Sequence, residues 1–121
     1  MTYLYLLGRL LLGGYFILSG YKHFVNLNNL AGYAVSKKVP AAKFSVGLSG
    51  VLLLLGGLGI LFNAYVIWTG WALVLFLVSV TFTMHNFWKE TDPMRRLSEQ
   101  INFQKNLALL GAVLIWLALV Y

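Results

Sequence analysis

Two uninterrupted apolar runs constrain this chain more than any other feature of its sequence. Residues 44–61 and 64–84 carry no charged side chain, and two further runs, residues 2–25 and 103–121, are apolar apart from a few basic residues. Each run falls in or near the length of about 17–25 residues that a helix needs to cross a bilayer. Within lipid the runs must be helical, because unpaired backbone groups cannot be hydrated there. The sequence therefore predicts an all-α integral membrane protein, a bundle of four transmembrane helices.

The two long connections between these runs contain amphipathic patterns. In the first connection, apolar residues recur at helical spacing over residues 27–37, which predicts a short helix in the membrane interface that Pro40 stops. In the third connection, Asp92 and Pro93 form a helix start, and apolar residues then share one face. This second interfacial helix either ends before the fourth run or continues into it. The length leaves room for one bundle, so we expect residues 1–121 to form a single domain.

The basic residues predict how the bundle is oriented. Only 10% of the residues are charged, against about 25% in soluble domains, and the net charge is +6. The basic residues in or beside the first and third connections are Lys37, Lys38, Lys43, Lys89, Arg95, Arg96 and Lys105. The N-terminal tip, the turn at Asn63 and the C-terminus have none. By the positive-inside rule, we expect these connections to be cytoplasmic and both termini to lie outside. Contact with lipid headgroups, rather than with nucleic acid, accounts for the basic charge.

Small residues form stripes on the first two runs that predict how the helices pack. The stripe on the first run consists of Arg9, Gly13, Gly20 and His23. The stripe on the second run consists of Ser45, Ser49, Gly56 and Gly59. Small residues let helix backbones approach closely in lipid. The stripes are therefore packing seams or, alternatively, the walls of a ligand groove.

Two polar features are candidates for a functional site. Arg9, an intramembrane charge on the outer side, either snorkels to the headgroups or has an inward partner such as Asn63, Thr69 or a bound ligand. The second feature is a polar collar at the cytoplasmic ends of three helices, formed by Lys22, His23, His85, Asn86, Lys105 and Asn106. The polar collar either closes the bundle by hydrogen bonds or binds a quinone or a lipid headgroup. His85 is its residue best suited to proton transfer near neutral pH.

Other chemistry has little support in the residues. The chain has no cysteine, which removes disulfides, iron–sulfur ligation and thiol redox chemistry. Glu90, Asp92 and Glu99 are all expected in one loop, so a carboxylate proton relay, a diiron site and a two-carboxylate hydrolase are not predicted. Nothing fixes the geometry of the two histidines as haem ligands. We therefore predict no metal site, no catalytic residue and no cofactor beyond a quinone or lipid that the chain could bind.

Four stretches of the chain resemble the DoxX family of small bacterial membrane proteins. They are GRLLLGGYFILSGYKHF in the first run, GYAVSKKVPAAK in the first connection, MHNFW at the end of the third run and INFQKNLALLGA at the start of the fourth. The resemblance implies a four-helix membrane protein and a link to a quinone-linked thiosulfate-oxidising complex, and members are often labelled oxidoreductases. Many relatives carry a glutamate about where Ser49 stands, so any role of that carboxylate would be missing here.

The sequence leaves three functions open. The first is a non-catalytic membrane subunit or scaffold that joins other membrane proteins in a larger complex of respiratory or redox type. The second is a quinone-reactive oxidoreductase subunit, in which Lys22, His85 and Lys105 hold and protonate a quinone oxygen while a partner supplies electrons. The third is a carrier of small solutes or lipids.

Overall fold

Five α-helices and one short 3₁₀ turn make up the computed structural model, which covers residues 1–121 and contains no strand. The elements are α1 (Thr2–Val25), α2 (Leu27–Ser36), α3 (Ala42–Phe62), α4 (Val66–Thr83), the 3₁₀ turn (Phe87–Lys89) and α5 (Pro93–Val120). Four of the helices, α1, α3, α4 and α5, are long and apolar enough to cross a membrane, by length and composition. The predicted all-α architecture with four membrane-spanning helices is confirmed.

The interfacial helix of the third connection continues without a break into the fourth span. Asp92 caps it, because its carboxylate accepts a hydrogen bond from the backbone amide of Arg95 at 3.0 Å, and Pro93 occupies the first turn. From there α5 runs for 28 residues, or about 42 Å at 1.5 Å per residue. This exceeds the hydrocarbon thickness of about 30 Å. Of the two alternatives for this interfacial helix, the continuous one holds, and Glu99, expected in the third connection, lies on the same helix as the fourth span.

The central helix of the bundle is α3, which packs against α1, α2 and α4, while α4 packs against α5. The contact between α1 and α3 depends on paired glycines. A Cβ built on Gly13 would lie 2.9 Å from the carbonyl oxygen of Gly57, and one built on Gly20 would lie 2.8 Å from the carbonyl oxygen of Gly50. Gly13 and Gly20 are therefore packing residues, as the stripe on the first run predicts.

The predicted stripe on α3 has two different neighbours. Near the end of α3, a Cβ on Gly56 would collide with the side chain of Leu73, and one on Gly59 would collide with that of Thr69, so both glycines face α4. Near the start of α3, Ser45 and Ser49 line a cavity. The packing alternative thus holds for the two glycines, whereas the two serines border an open space, where a ligand groove stays a prediction.

The two ends of the bundle differ in character. One end of the bundle holds the two chain termini, and we call it the terminal end. There the Trp116 indole donates a hydrogen bond to Oδ1 of Asn63 at 2.9 Å, and the Asn63 amide lies 3.3 Å from the Tyr5 hydroxyl. A buried apolar core runs from there to the middle of the bundle and consists of Phe16, Leu53, Ile60, Leu73, Phe76, Leu77, Val113, Trp116 and Leu117. The opposite, basic end carries α2 and residues 84–92. Exposed leucines along the spans are suited to contact with lipid.

Candidate functional site

A cavity of about 500 Å³ lies at the basic end of the bundle, within the range of about 300–1,000 Å³ that small-molecule sites occupy. We call it the ligand cavity. All five helices contribute to its lining, and apolar side chains such as Phe16, Leu53 and Phe76 form the wall that it shares with the core. Polar and basic side chains form the remainder. This combination suits a ligand that has both an apolar body and a polar head.

The helices α1 and α5 border the ligand cavity without packing extensively against each other. Along α1, the lining residues Tyr15, Ser19 and His23 follow at intervals of four, which puts them on one face. Across the cavity, α5 contributes Lys105 and Asn106. The space between α1 and α5 is therefore bounded by side chains rather than by close backbone contact.

Only part of the polar collar lies at the ligand cavity. Four of its six residues line the ligand cavity, namely His23, His85, Lys105 and Asn106. Lys22 is exposed and does not line it. Asn86 lies outside the cavity, where its Oδ1 accepts a hydrogen bond from Nζ of Lys37 at 2.9 Å.

Glu99 is the buried polar centre of the basic end, with 6% of its surface exposed. Its carboxylate accepts a hydrogen bond from the Tyr33 hydroxyl and lies 2.9 Å from Nζ of Lys37. It also lies 3.1 Å from Nδ1 of His85 and accepts a hydrogen bond from Nδ2 of Asn102 at 3.3 Å. A buried carboxylate requires such partners, because desolvation otherwise outweighs its attraction to a single cation.

Sequence reasoning missed Glu99, although two signals pointed to it. No glycine or proline occurs between Pro93 and Gly111, so a helix that starts at the Asp92 cap has no reason to stop before Glu99. On α2, Tyr33 and Lys37 are four residues apart and share one face. The sequence does not reveal that this face of α2 meets α5, because that contact depends on the packing of the whole bundle.

Lys37 is neutralised by two carboxylates. Its Nζ lies 2.8 Å from Glu90 and 2.9 Å from Glu99. Burial by itself lowers the pKa of Lys37, but the hydrogen bonds to Glu90 and Glu99 outweigh that effect and raise the pKa above its ordinary value. Burial raises the pKa of Tyr33 well above its ordinary value, and the hydrogen bond to Glu99 raises it further. Lys37 therefore stays charged and Tyr33 stays a neutral donor at physiological pH.

A second, polar cavity of about 350 Å³ lies beside the ligand cavity. Tyr33 and Lys37 line both cavities and so form a wall between them. Glu90 and Glu99 line the polar cavity only. The carboxylates of the basic end are thus on the far side of this wall from the ligand cavity.

Both histidines of the ligand cavity have one ring nitrogen engaged. Nδ1 of His23 lies 2.8 Å from the carbonyl oxygen of Ser19, and Nδ1 of His85 lies 3.1 Å from Glu99. A carbonyl and a carboxylate oxygen only accept hydrogen bonds, so Nδ1 carries the hydrogen in each ring. In the neutral ring, Nε2 is then an acceptor. At His85, burial lowers the pKa of the imidazole, and the carboxylate of Glu99 behind the ring offsets part of that effect.

Arg9 lies away from the ligand cavity and is satisfied by the backbone. Its Nε donates to the carbonyl oxygen of Ile60 at 3.0 Å, and its Nη2 donates to that of Leu61 at 2.7 Å. These carbonyls lie at the end of α3, where helical partners are missing and the helix dipole is negative. The inward alternative for Arg9 therefore holds, with the end of α3 as the partner instead of Asn63 or Thr69.

The comparison with known families bears on the part of the chain that precedes α5. A family model described as DoxX matches residues 4–86. The chain belongs to the DoxX family. The match includes α1 to α4 and most of the lining of the ligand cavity, and it ends before Glu99 and Lys105. No curated protein and no solved structure matches the chain.

Ser49 has a defined place in this DoxX protein. It is the position where the resemblance implies a glutamate in many relatives, and here it is a half-buried lining residue of the ligand cavity. A glutamate at this position would put a carboxylate among the basic side chains of the cavity. With serine there, the ligand cavity has no acidic lining residue.

Proposed function

We propose that this DoxX protein is a membrane subunit of a redox complex and binds a quinone headgroup in the ligand cavity. The observation that carries the proposal is the cavity of about 500 Å³ whose lining combines His85, Lys105 and Asn106 with an apolar wall. A quinone has a flat apolar ring with an oxygen at each end, so it needs apolar walls and a few polar groups. The subunit interpretation of the sequence is kept, with a bound ligand added to it.

The borders of the ligand cavity suggest how such a ligand enters. A quinone is dissolved in the bilayer and must reach the site from the side. Between α1 and α5, Nζ of Lys105 lies 6.0 Å from the centroid of the Tyr15 ring. A side-chain contact of this kind can open without moving a helix backbone, so we propose that entry occurs here.

In the proposed site, His85 exchanges a proton with the ligand. Oxidation of a quinol releases two electrons, which a redox partner must accept, and two protons, of which Nε2 of His85 takes one and water takes the other. Glu99 holds the ring through Nδ1 and stabilises the imidazolium. In the reverse direction the imidazolium returns the proton to a quinone oxygen. Because the chain has no cysteine and depends on a partner to accept or supply the electrons, we expect no turnover by the subunit alone.

The setting in the cell is part of the proposal. We propose the inner membrane of a bacterium, with the basic end in the cytoplasm and the termini outside, because the basic residues gather at one end of the bundle. A redox partner that contacts the basic end would lie close to the ligand cavity. Further membrane subunits would cover part of the exposed apolar surface of the spans.

The test is binding of a decyl-substituted benzoquinone to the purified chain in mild detergent, together with identification of extracted quinones and co-purifying proteins. We expect saturable binding that Lys22→Gln leaves unchanged, because Lys22 does not line the cavity. His85→Gln should assemble into the complex and lose its quinone turnover, since glutamine does not titrate near neutrality. The absence of both saturable binding and co-purifying quinone would refute the proposal.

A further inference from the structure

We infer that the ligand cavity selects a headgroup that carries a negative charge, and that Lys38 and Lys105 provide this selectivity. If the ligand is a quinone, this inference rests on the proposed function and adds the charge of the quinone to it. The chemistry it requires is broader. It requires one ionised oxygen group on an apolar body, as in an ionised hydroxyquinone or a single-chain carboxylate.

The charges that line the ligand cavity are all of one sign. They come from Lys38 and Lys105, because Glu90 and Glu99 offset the charge of Lys37, and no aspartate or glutamate is among the 25 lining residues. In a cleft with low-dielectric walls, side chains of one sign produce a focused potential. A neutral ligand gains little from such a potential, whereas an anion is attracted by it.

The three carboxylates of the chain are already engaged elsewhere. Glu90 and Glu99 bind Lys37 from the side of the polar cavity. Asp92 caps α5 through the backbone amide of Arg95. Since the chain has only 3 acidic residues, none remains for the other two lysines of the ligand cavity.

Lys38 and Lys105 are therefore cations without an ion-pair partner in the protein. They come from different parts of the fold, since Lys38 follows the end of α2 and Lys105 lies on α5 beside the Tyr15 ring. Both side chains line the ligand cavity, and both are exposed. The competing interpretation is that both lysines only contact the headgroups of the surrounding bilayer, in which case the charge of a cavity ligand would not matter.

The first experiment compares ligands that differ in charge and little else, on the full chain in a nonionic detergent. One pair is a 3-alkyl-2-hydroxy-1,4-naphthoquinone, ionised at neutral pH, and its 2-methoxy analogue. The other pair is palmitate and methyl palmitate. We expect the ionised member of a pair to bind at least tenfold more tightly. Equal binding within both pairs would overturn the inference.

The same measurements separate this inference from the proposed function. If both naphthoquinones bind equally, the quinone site stands and the selectivity for an anion fails. If palmitate binds and neither naphthoquinone does, the selectivity stands and the quinone function fails. If none of the four probes binds saturably, both fail.

The second experiment changes the charge of the cavity with a matched pair of variants. Ser49→Glu adds a carboxylate to the lining, and Ser49→Gln adds a neutral side chain of the same size. We expect Ser49→Glu to abolish the preference for the ionised ligand and Ser49→Gln to keep it. Loss of the preference in both variants would mean that size, rather than charge, controls binding.

Lys105→Gln keeps the test decisive if Ser49→Glu does not fold. This variant should weaken binding of the ionised ligand at least tenfold more than it weakens binding of the neutral analogue. The control is Lys89→Gln, which removes an exposed charge of the basic end that does not line the cavity. An equal loss in both lysine variants would show that the general surface charge attracts the ligand, and would refute the selective site.

Discussion

Lys37, which caps the end of α2, and Glu99 on α5 form an ion pair with 2.9 Å between Nζ and Oε2, and only 10% and 8% of their side chains are exposed. The pair joins the short interfacial helix to the fourth span. Because Lys37 also lines both cavities, the same contact maintains the wall that separates the ligand cavity from the polar cavity. The side chains that keep the carboxylates out of the ligand cavity are therefore the side chains that hold α2 in place.

The first prediction concerns removal of one partner of this pair. Lys37→Met should lower the free energy of unfolding by about 3–5 kcal/mol, because it leaves Glu99 buried without its cation. The double variant Lys37→Met with Glu99→Leu should be less destabilised than the sum of the two single variants. Thermal unfolding in detergent measures the effect, and Lys43→Met, at an exposed position, is the control. Equal stability of Lys37→Met and Lys43→Met would contradict the role of the pair.

The spans were predictable because a bilayer imposes simple requirements. An uncharged run such as residues 44–61 has no stable alternative to a helix in lipid, and α3 occupies Ala42–Phe62. The glycines of α1 were predictable for a similar reason, since close backbone approach needs small residues at helical spacing. In both cases, the information lies within one segment of the chain.

The candidate site was only partly predictable because its contacts join distant segments. Matching depth was enough to group His85 with Lys105, and both residues line the ligand cavity, although Lys105 lies inside α5 and not at its end. It gave no sign that α2 would supply Tyr33 and Lys37 to a carboxylate on α5. The helix that carries Glu99 was predictable from its cap at Asp92, but the burial of Glu99 was not, because it depends on partners from other segments of the chain.

The second prediction concerns the seam between α1 and α3. Gly13→Leu should destabilise the protein by about 1–3 kcal/mol or more, because the new side chain would meet backbone atoms of Gly57 and Leu61, which cannot rotate away. Gly14→Leu is a matched control on the next residue, since nothing lies within 4 Å of a Cβ built there. Both variants are compared by thermal unfolding in detergent. A stable Gly13→Leu variant would mean that the two helices are not in close contact.

The third prediction concerns Arg9. Arg9→Met should destabilise the protein by roughly 1.5–3 kcal/mol, because two carbonyls at the end of α3 lose charged donors. Arg9→Lys should be intermediate, since an ammonium group cannot reproduce the planar fork of the guanidinium. Neither variant should change binding of a ligand to the cavity, because Arg9 does not line it. Altered ligand affinity without loss of stability would assign Arg9 a functional role.

The last prediction concerns orientation in the membrane, and the composition of the chain makes it simple to test. The chain has no cysteine, so a single introduced cysteine is the only site for a maleimide. Tyr65→Cys, at the exposed turn of the terminal end, should react with a membrane-impermeant maleimide in intact spheroplasts. Lys89→Cys, at the basic end, should react only after the membrane is permeabilised, because the basic end is expected in the cytoplasm. Both positions are exposed, so differences in burial cannot explain the result. The reverse pattern of labelling would invert the orientation and place the ligand cavity near the outer surface of the membrane, away from any cytoplasmic redox partner.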